Sequence, residues 1–316
     1  MSFHRAHITD VNGVSDLYNK IIDFIKNTLG WTEKKTGTSQ TGKPYTIFFS
    51  EGESEQETIY IGLTYYYHSE DSCGIQFCGY TGFDSGRGFD DNLGHIDTSY
   101  DSCRHSYQRL PTFGILQNTT YSDLWLLGDK DCCIGVVKCI TVYRCFYVGL
   151  LRRYWSMQYD PFPVYLFGSY VNSDNAPGAY NWNCTCNIQG FGGNINHATN
   201  NWLWYSQDSW TDGLIHCNHC GDNCWYYDVC RGNQIMVIHP TMHVQYLQDS
   251  SKYSICPFLV SDWTGMRGEM KWVYKLSYAH DLNPEDELTI SGNNYKVFPG
   301  DAELSLWKWW AIRWYD

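Results

Sequence analysis

Residues Asp123–Gly168 read DLWLLGDKDCCIGVVKCITVYRCFYVGLLRRYWSMQYDPFPVYLFG, and this stretch decides the fold class. An apolar run, Leu124–Leu127, meets the turn residues Gly128-Asp129-Lys130-Asp131, and further apolar runs follow at Cys132–Val137 and Val142–Leu151. Each run is short, rich in β-branched and aromatic side chains, and bounded by Gly, Asp, Lys or Arg, which favours strands over helices. Both residue parities are apolar, so these strands are expected to be covered on both faces. Asp129 and Asp131 flank Lys130 in a tight hairpin turn, where turn chemistry accounts for them without catalysis. The block is scaffold, with Asp160-Pro161-Phe162-Pro163 leading to one more short strand over Val164–Phe167.

On the N-terminal side, Val14, Leu17, Tyr18, Ile21, Ile22, Ile25 and Leu29 fall at helical spacing and predict an amphipathic helix over 14–30. Ser15 or Asp16 is suited to cap its start and Gly30 to end it. A loop is expected from Thr32 to Pro44, then paired strands over Tyr45–Ser50 and Thr58–Tyr67. The acidic run Glu51–Glu57 between them reads as a solvated turn. From Ser69 to Thr120, short apolar runs such as Ile75–Tyr80 alternate with Gly/Asp/Ser stretches, which suggests a long surface arm that meets a neighbouring subunit. Gly82–Gly88 has neither the strand–loop–helix context nor the GK[ST] ending of a phosphate cradle. A second loop insertion is expected over 172–230, with the aromatic strand Asn201–Tyr205 inside it. Strands are also expected at Gln234–Ile238, Leu288–Ile290, Tyr295–Pro299 and the tryptophan-rich Leu304–Tyr315.

Three mid-strand glycines, in Ile61-Gly62-Leu63, Ile134-Gly135-Val136 and Val148-Gly149-Leu150, point to close backbone approach or a bulge; their spacing is not that of a repeat. Together these signals give a β-rich α+β protein in 316 residues. It is expected to be one structural domain, with the helix packed on a central, mainly antiparallel sheet and loop insertions at 69–120 and 172–230.

Composition narrows the function classes. With 22 basic against 34 acidic residues the net charge is −12, a field that repels phosphate backbones and argues against nucleic-acid binding. No apolar segment follows Met1–Arg5 as in a signal peptide, and Cys132–Leu151 carries too many polar side chains for a bilayer span. Aromatic residues make up 17% of the chain, which fits either partner surfaces or a β-protein that packs with Tyr and Trp.

Fourteen cysteines without an export signal leave buried thiols, a metal site or disulfides formed after release from a reducing cell. Cys73, Cys78, Cys103, Cys184, Cys186, Cys217, Cys220, Cys224, Cys230 and Cys256 are candidates for disulfides or subunit interfaces. Cys217, Cys220, Cys224 and Cys230, beside His216 and His219, also offer zinc ligands: the first pair has the CxxC knuckle spacing and the second does not. Cys132, Cys133, Cys139 and Cys145 fall within strands as small core residues, and the opposite facing of adjacent Cys132 and Cys133 would turn one of them outward. No GxSxG, HExxH or paired-acid motif is present, so a non-enzymatic role is expected. Trp202, Trp204, Trp210 and Trp225, read as loop residues, are candidates for stacking on sugars.

The order of these pieces resembles virion structural proteins of tailed bacteriophages. The resemblance runs through the helix ending in Gly30-Trp31-Thr32, the strand pair around Ser50-Glu51-Gly52-Glu53 and Ile59–Leu63, and Thr81-Gly82-Phe83-Asp84. It continues in Leu124–Asp131, Tyr147–Tyr154 and Pro161-Phe162-Pro163, and ends in Tyr295–Pro299 before Ala311-Ile312-Arg313. The cysteine content departs from that pattern. The resemblance implies a tail, baseplate or neck component, made in the host bacterial cytoplasm and residing in the virion. Its partners would be copies of itself and other virion proteins, joined through aromatic interfaces and inter-subunit disulfides, with no membrane contact. A tail-tip glycan- or receptor-binding module and a zinc-dependent or zinc-stabilised protein are the alternatives.

Overall fold

A computed structural model describes residues 3–69, 72–93, 112–115, 121–139, 142–154, 164–167, 202–206, 209–213, 255–262, 265–276, 282–299 and 309–315. In chain order the elements are β1 (His4–Val11), α1 (Gly13–Asp23, continued by a π-helical turn Phe24–Thr28), β2 (Thr32–Thr38), β3 (Pro44–Ser50), β4 (Ile59–Ser69), β5 (Ser72–Tyr80) and β6 (Thr112–Ile115). There follow β7 (Tyr121–Gly128), β8 (Cys132–Cys139), β9 (Val142–Gly149), β10 (Arg152–Arg153), β11 (Tyr165–Phe167), β12 (Trp202–Ser206) and β13 (Ser209–Gly213). The last are β14 (Ile255–Asp262), β15 (Gly265–Leu276), β16 (Glu287–Ile290), β17 (Asn293–Pro299) and β18 (Trp309–Tyr315). They form three antiparallel sheets: a seven-stranded sheet β1-β7-β8-β9-β11-β12-β13, a six-stranded sheet β10-β15-β18-β17-β16 with β14 also on β15, and a five-stranded sheet β2-β3-β4-β5-β6. The protein is therefore β-rich α+β, as its sequence indicates, with three sheets in place of one.

The seven-stranded sheet is the middle layer, and its side-chain alternation shows why. Leu124, Leu126, Cys133, Val137, Phe146, Val148 and Leu166 enter one core, shared with α1 and the five-stranded sheet. Their neighbours Trp125, Leu127, Cys132, Ile134, Val136, Cys145, Tyr147 and Tyr165 enter a second core, shared with Trp272, Phe298, Trp310 and Ile312 of the six-stranded sheet. A period-two chain that is apolar at both parities must be covered twice. Cys132 and Cys133 accordingly face opposite ways and are both fully buried, so neither is the outward-facing thiol that their adjacency suggested. Most of the described tryptophans and tyrosines pack inside, including Trp31, Trp125, Trp310, Tyr80 and Tyr147. Among the described residues only Leu93 and Tyr154 are exposed large apolar side chains, so the packing account of the aromatic content holds for this frame.

The helix begins at Gly13 with Asn12 at its N-cap, ahead of Ser15 and Asp16, and no side chain caps it; the Asp16 carboxylate, inside the first turn, accepts the Asn12 backbone N–H at 2.8 Å. Gly30, at φ +70°, ends it where an L side chain would be strained. The π-helical turn puts Phe24, Ile25 and Leu29 into the first core together. The mid-strand glycines behave as their positions predict: Gly62 lies under the Tyr80 ring, Gly135 under the Phe146 ring, and Gly149 adopts φ +120° against the backbone of Asp131 and Cys132.

Other expectations change. The Thr32–Pro44 loop contains the edge strand β2, whose TEKKTGT composition gives little strand signal. The 69–120 segment is not simply a surface arm, because β5 and β6 in it complete the five-stranded sheet. Residues 81–93 fold back over that sheet's outer face: Phe89 is buried, Tyr80 donates to its carbonyl at 2.8 Å, and Tyr60 faces Phe83. Within 172–230, β12 and β13 form a hairpin that extends the middle sheet: Trp202 and Trp204 lie on the strand expected over Asn201–Tyr205, and Trp210 lies on β13 rather than in a loop. The Gln234–Ile238 strand and Trp225 lie outside the described residues.

Candidate functional site

At one end of the middle sheet the turn between β7 and β8 draws together pieces of all three sheets. Asp129 opens this turn, and its carboxylate oxygen Oδ1 accepts the backbone N–H groups of Asp131 at 2.7 Å and Cys132 at 3.0 Å, an Asx arrangement that follows from the Gly-Asp-Lys-Asp sequence. The turn backbone is then tied outward. Trp31 Nε1, just past the helix, donates to the Asp129 carbonyl at 3.0 Å, and Ser50 Oγ at the end of β3 donates to the Lys130 carbonyl at 2.5 Å. The Leu150 N–H reaches the Asp131 carbonyl at 2.8 Å, held there by the positive φ of Gly149. The Glu51–Glu57 turn, expected to be solvated, docks against the hairpin instead: the Glu53 N–H donates to Asp131 Oδ1 at 2.7 Å, and Gly52 and Glu57 are buried. Glu57 in turn is paired with Arg153 of β10.

Lys271 of β15 completes the junction from the six-stranded sheet. Its ammonium lies 3.0 Å from Asp129 Oδ2 and contacts Asp131 Oδ2, with side chains only 8%, 1% and 14% exposed in the order Lys271, Asp129, Asp131. The Trp272 ring stands 5.4 Å from Nζ, and the Tyr147 hydroxyl is 3.4 Å from the Lys271 backbone nitrogen. Trp272 itself has φ +56°, an unusual backbone state for a bulky residue, and the alternation of β15 changes phase there: Met270, Trp272 and the adjacent Val273 all join the second core. Next along β15, Glu269 bonds both Arg152 and Tyr154.

The electrostatics follow from burial. Burial pushes the Asp129 carboxyl above its ordinary value, with Asp131 adding to the shift and Lys271 opposing it. Burial opposes the charge on Lys271, yet the two aspartates together hold its proton above the ordinary lysine range. Burial lifts the Cys132 thiol and the Tyr147 hydroxyl well above their usual values, which keeps both neutral. Two ionised carboxylates around one ammonium leave a net negative charge in a largely dry place, which makes Asp129 harder to ionise than an ordinary carboxyl.

Asp129 and Asp131 are thus turn-forming, as expected, and they also bind a lysine 140 residues downstream of Asp131, a partner that the turn alone does not reveal. The alternating Glu269-Met270-Lys271-Trp272 sequence is the signal that marks β15.

The predicted cysteine sites are placed differently. Cys78 is a fully buried core residue whose Sγ donates to the Gly79 carbonyl at 3.4 Å. Its strand parity, shared with Tyr80, turns it toward the face that residues 81–93 cover, while neighbouring Phe77 faces Phe146 of the middle sheet. Cys73 lies on β5 opposite Tyr67 and Ile115, and Cys256 lies on β14 opposite Lys275. Cys103, Cys184, Cys186, Cys217, Cys220, Cys224 and Cys230 lie outside the described residues, and with them the zinc candidate. Among the described residues no group of three His, Cys, Asp or Glu could hold a metal ion, and no helix is long and apolar enough to cross a membrane. Comparison with protein-family models and with curated proteins returns no match.

Proposed function

We propose that the protein is a non-enzymatic structural component of a tailed-bacteriophage virion, acting by assembly in a tail, baseplate or neck. The observation that carries this reading is how the polar groups at the three-sheet junction are used. Asp129, Asp131, Lys271, Trp31 and Glu53 bond to one another and Ser50 bonds to the Lys130 carbonyl between the two aspartates, so the junction resists relative movement of the sheets. A reaction centre needs a nucleophile or base facing a substrate cleft; these groups face inward. The acidic balance and the order of sequence motifs support the same reading.

The test is assembly. Purified protein is followed by light scattering and electron microscopy over a concentration series, and particles carrying it are labelled with antibody. Closed rings or layers and labelled particles are the expected result. A monomer at every concentration, together with unlabelled particles, overturns the proposal.

A further inference from the structure

The Asp129–Lys271–Asp131 cluster has the parts for a covalent bond as well as an ionic one. A primary amine touches a carboxyl group carried by another sheet, and a second carboxyl group lies 3.0 Å from the same nitrogen. We propose that Lys271 Nζ and Asp131 Cγ condense spontaneously to an amide that cross-links β15 to the β7–β8 turn, with Asp129 acting as the proton shuttle.

Geometry supplies the first requirement. Asp131 is fixed by the Glu53 N–H on Oδ1 and by the Leu150 N–H on its main-chain carbonyl, which leaves Oδ2 to the lysine. Asp129 is fixed in the same manner, through two backbone N–H groups on Oδ1, with Oδ2 toward the lysine. Reactants held this way need no further search for each other, the condition under which intramolecular reactions gain most.

Proton inventory supplies the second. An ammonium, one carboxylate and one carboxylic acid carry the same protons as a free amine with two carboxylic acids. Once the cluster takes up one proton, the reactive arrangement is an internal rearrangement of it. Enclosure by Trp272, Tyr147 and Cys132 opposes the charge on Lys271 and so narrows the gap between the ionic arrangement, in which the aspartates hold the lysine proton, and the uncharged one. Burial raises the Asp129 carboxyl, which suits it to hold and return the travelling proton.

The step balances without any added reagent. The Nζ lone pair forms the N–C bond to Asp131 Cγ, and Asp129 gives a proton to the carbonyl oxygen and takes one from the nitrogen. One hydroxyl of the tetrahedral carbon then leaves with a proton from Asp129 as water, and the other returns its proton to Asp129. The products are an amide and one water, with Asp129 unchanged and no change of oxidation state.

Intact-mass spectrometry of the full chain, denatured and fully reduced, reads this directly. The expected mass is about 18 Da below that of the sequence, one water. Proteolysis should yield one branched peptide joining the Asp131 segment to the Lys271 segment, which distinguishes the amide from dehydration within a single segment. Lys271→Arg and Asp131→Ala should both restore the full mass. Asp129→Asn, which keeps both reacting groups, should leave most of the chain unlinked. Recovery of separate Asp131 and Lys271 peptides from folded wild-type protein of full mass overturns the proposal, as does undiminished linkage in Asp129→Asn.

Discussion

Trp31 and Asp129 are joined across 98 residues of chain: the indole N–H that follows the helix stop donates to the carbonyl that opens the central hairpin, at 3.0 Å. The helix end is thereby tied to the middle sheet by a side chain that is itself buried. Trp31→Phe keeps an aromatic ring and removes the donor, leaving a buried carbonyl short of a partner. The expected cost is about 1–3 kcal/mol in urea unfolding. An unchanged midpoint would mean that the bond contributes nothing.

Lys271→Met keeps the length and removes the charge, so Asp129 and Asp131 face each other without their cation. Breaking a buried ion cluster by removal of one member costs about 3–5 kcal/mol. The sign of its pH dependence follows from Asp129, whose carboxyl is already raised by burial. A carboxyl raised in the fold disfavours the folded state once it must ionise, so lower pH relieves the strain. The Lys271→Met deficit should shrink as pH falls from neutrality toward the ordinary carboxyl value of 3.8, as measured by denaturant unfolding across that range.

Gly135 sits directly opposite Phe146 in the β8–β9 register, with the ring lying over it. An added methyl group would run into that ring, so Gly135→Ala should lower stability by about 1–3 kcal/mol through overpacking. Adding Phe146→Leu should recover part of the loss. Additive losses in the double variant, read from thermal midpoints, would show that the ring and the glycine are not coupled.

Alkaline conditions test the burial of the core. Burial raises Tyr18 to about 12 from 10.0 and raises Tyr80, Tyr147, Cys132 and Cys145 well above their ordinary values. A group raised in the fold contributes stability that is intact below its unfolded value and is lost as pH climbs toward its folded value. The thiols start from 9.0 and the phenols from 10.0, so stability should hold to about pH 9 and fall steeply beyond it. A flat profile through pH 11 would contradict the burial described here.

How far the sequence discloses this molecule depends on what each signal can carry. The middle sheet was legible because double coverage forces both parities of Leu124–Leu127 and Cys132–Val137 to be apolar, a pattern that survives without knowledge of what covers it. Helix α1 was legible through its stripe and Gly30. Strand β2 was not, because an exposed edge strand of Thr, Lys and Gly has no apolar face to display. β1 shows only Ala6, Ile8 and Val11 of its core-facing side among His, Arg, Thr and Asp, too short a signal to mark a strand, and β15 is obscured because its alternation changes phase at Trp272. The junction was half legible: Asp129 and Asp131 announce a turn, while Lys271 and Glu53 meet them only through tertiary packing, which no local spacing encodes.

The Asp129–Lys271–Asp131 junction ties elements of three sheets into a single frame. Amide hydrogen exchange in wild type and Lys271→Met measures it most directly. Protection is expected to fall together in Ser50–Glu57, Cys132–Cys139 and Leu150–Arg153 when Lys271 is replaced, since these segments belong to different sheets and meet at the cluster. Loss confined to the strand that carries Lys271, with Ser50–Glu57 and Cys132–Cys139 unchanged, would contradict it.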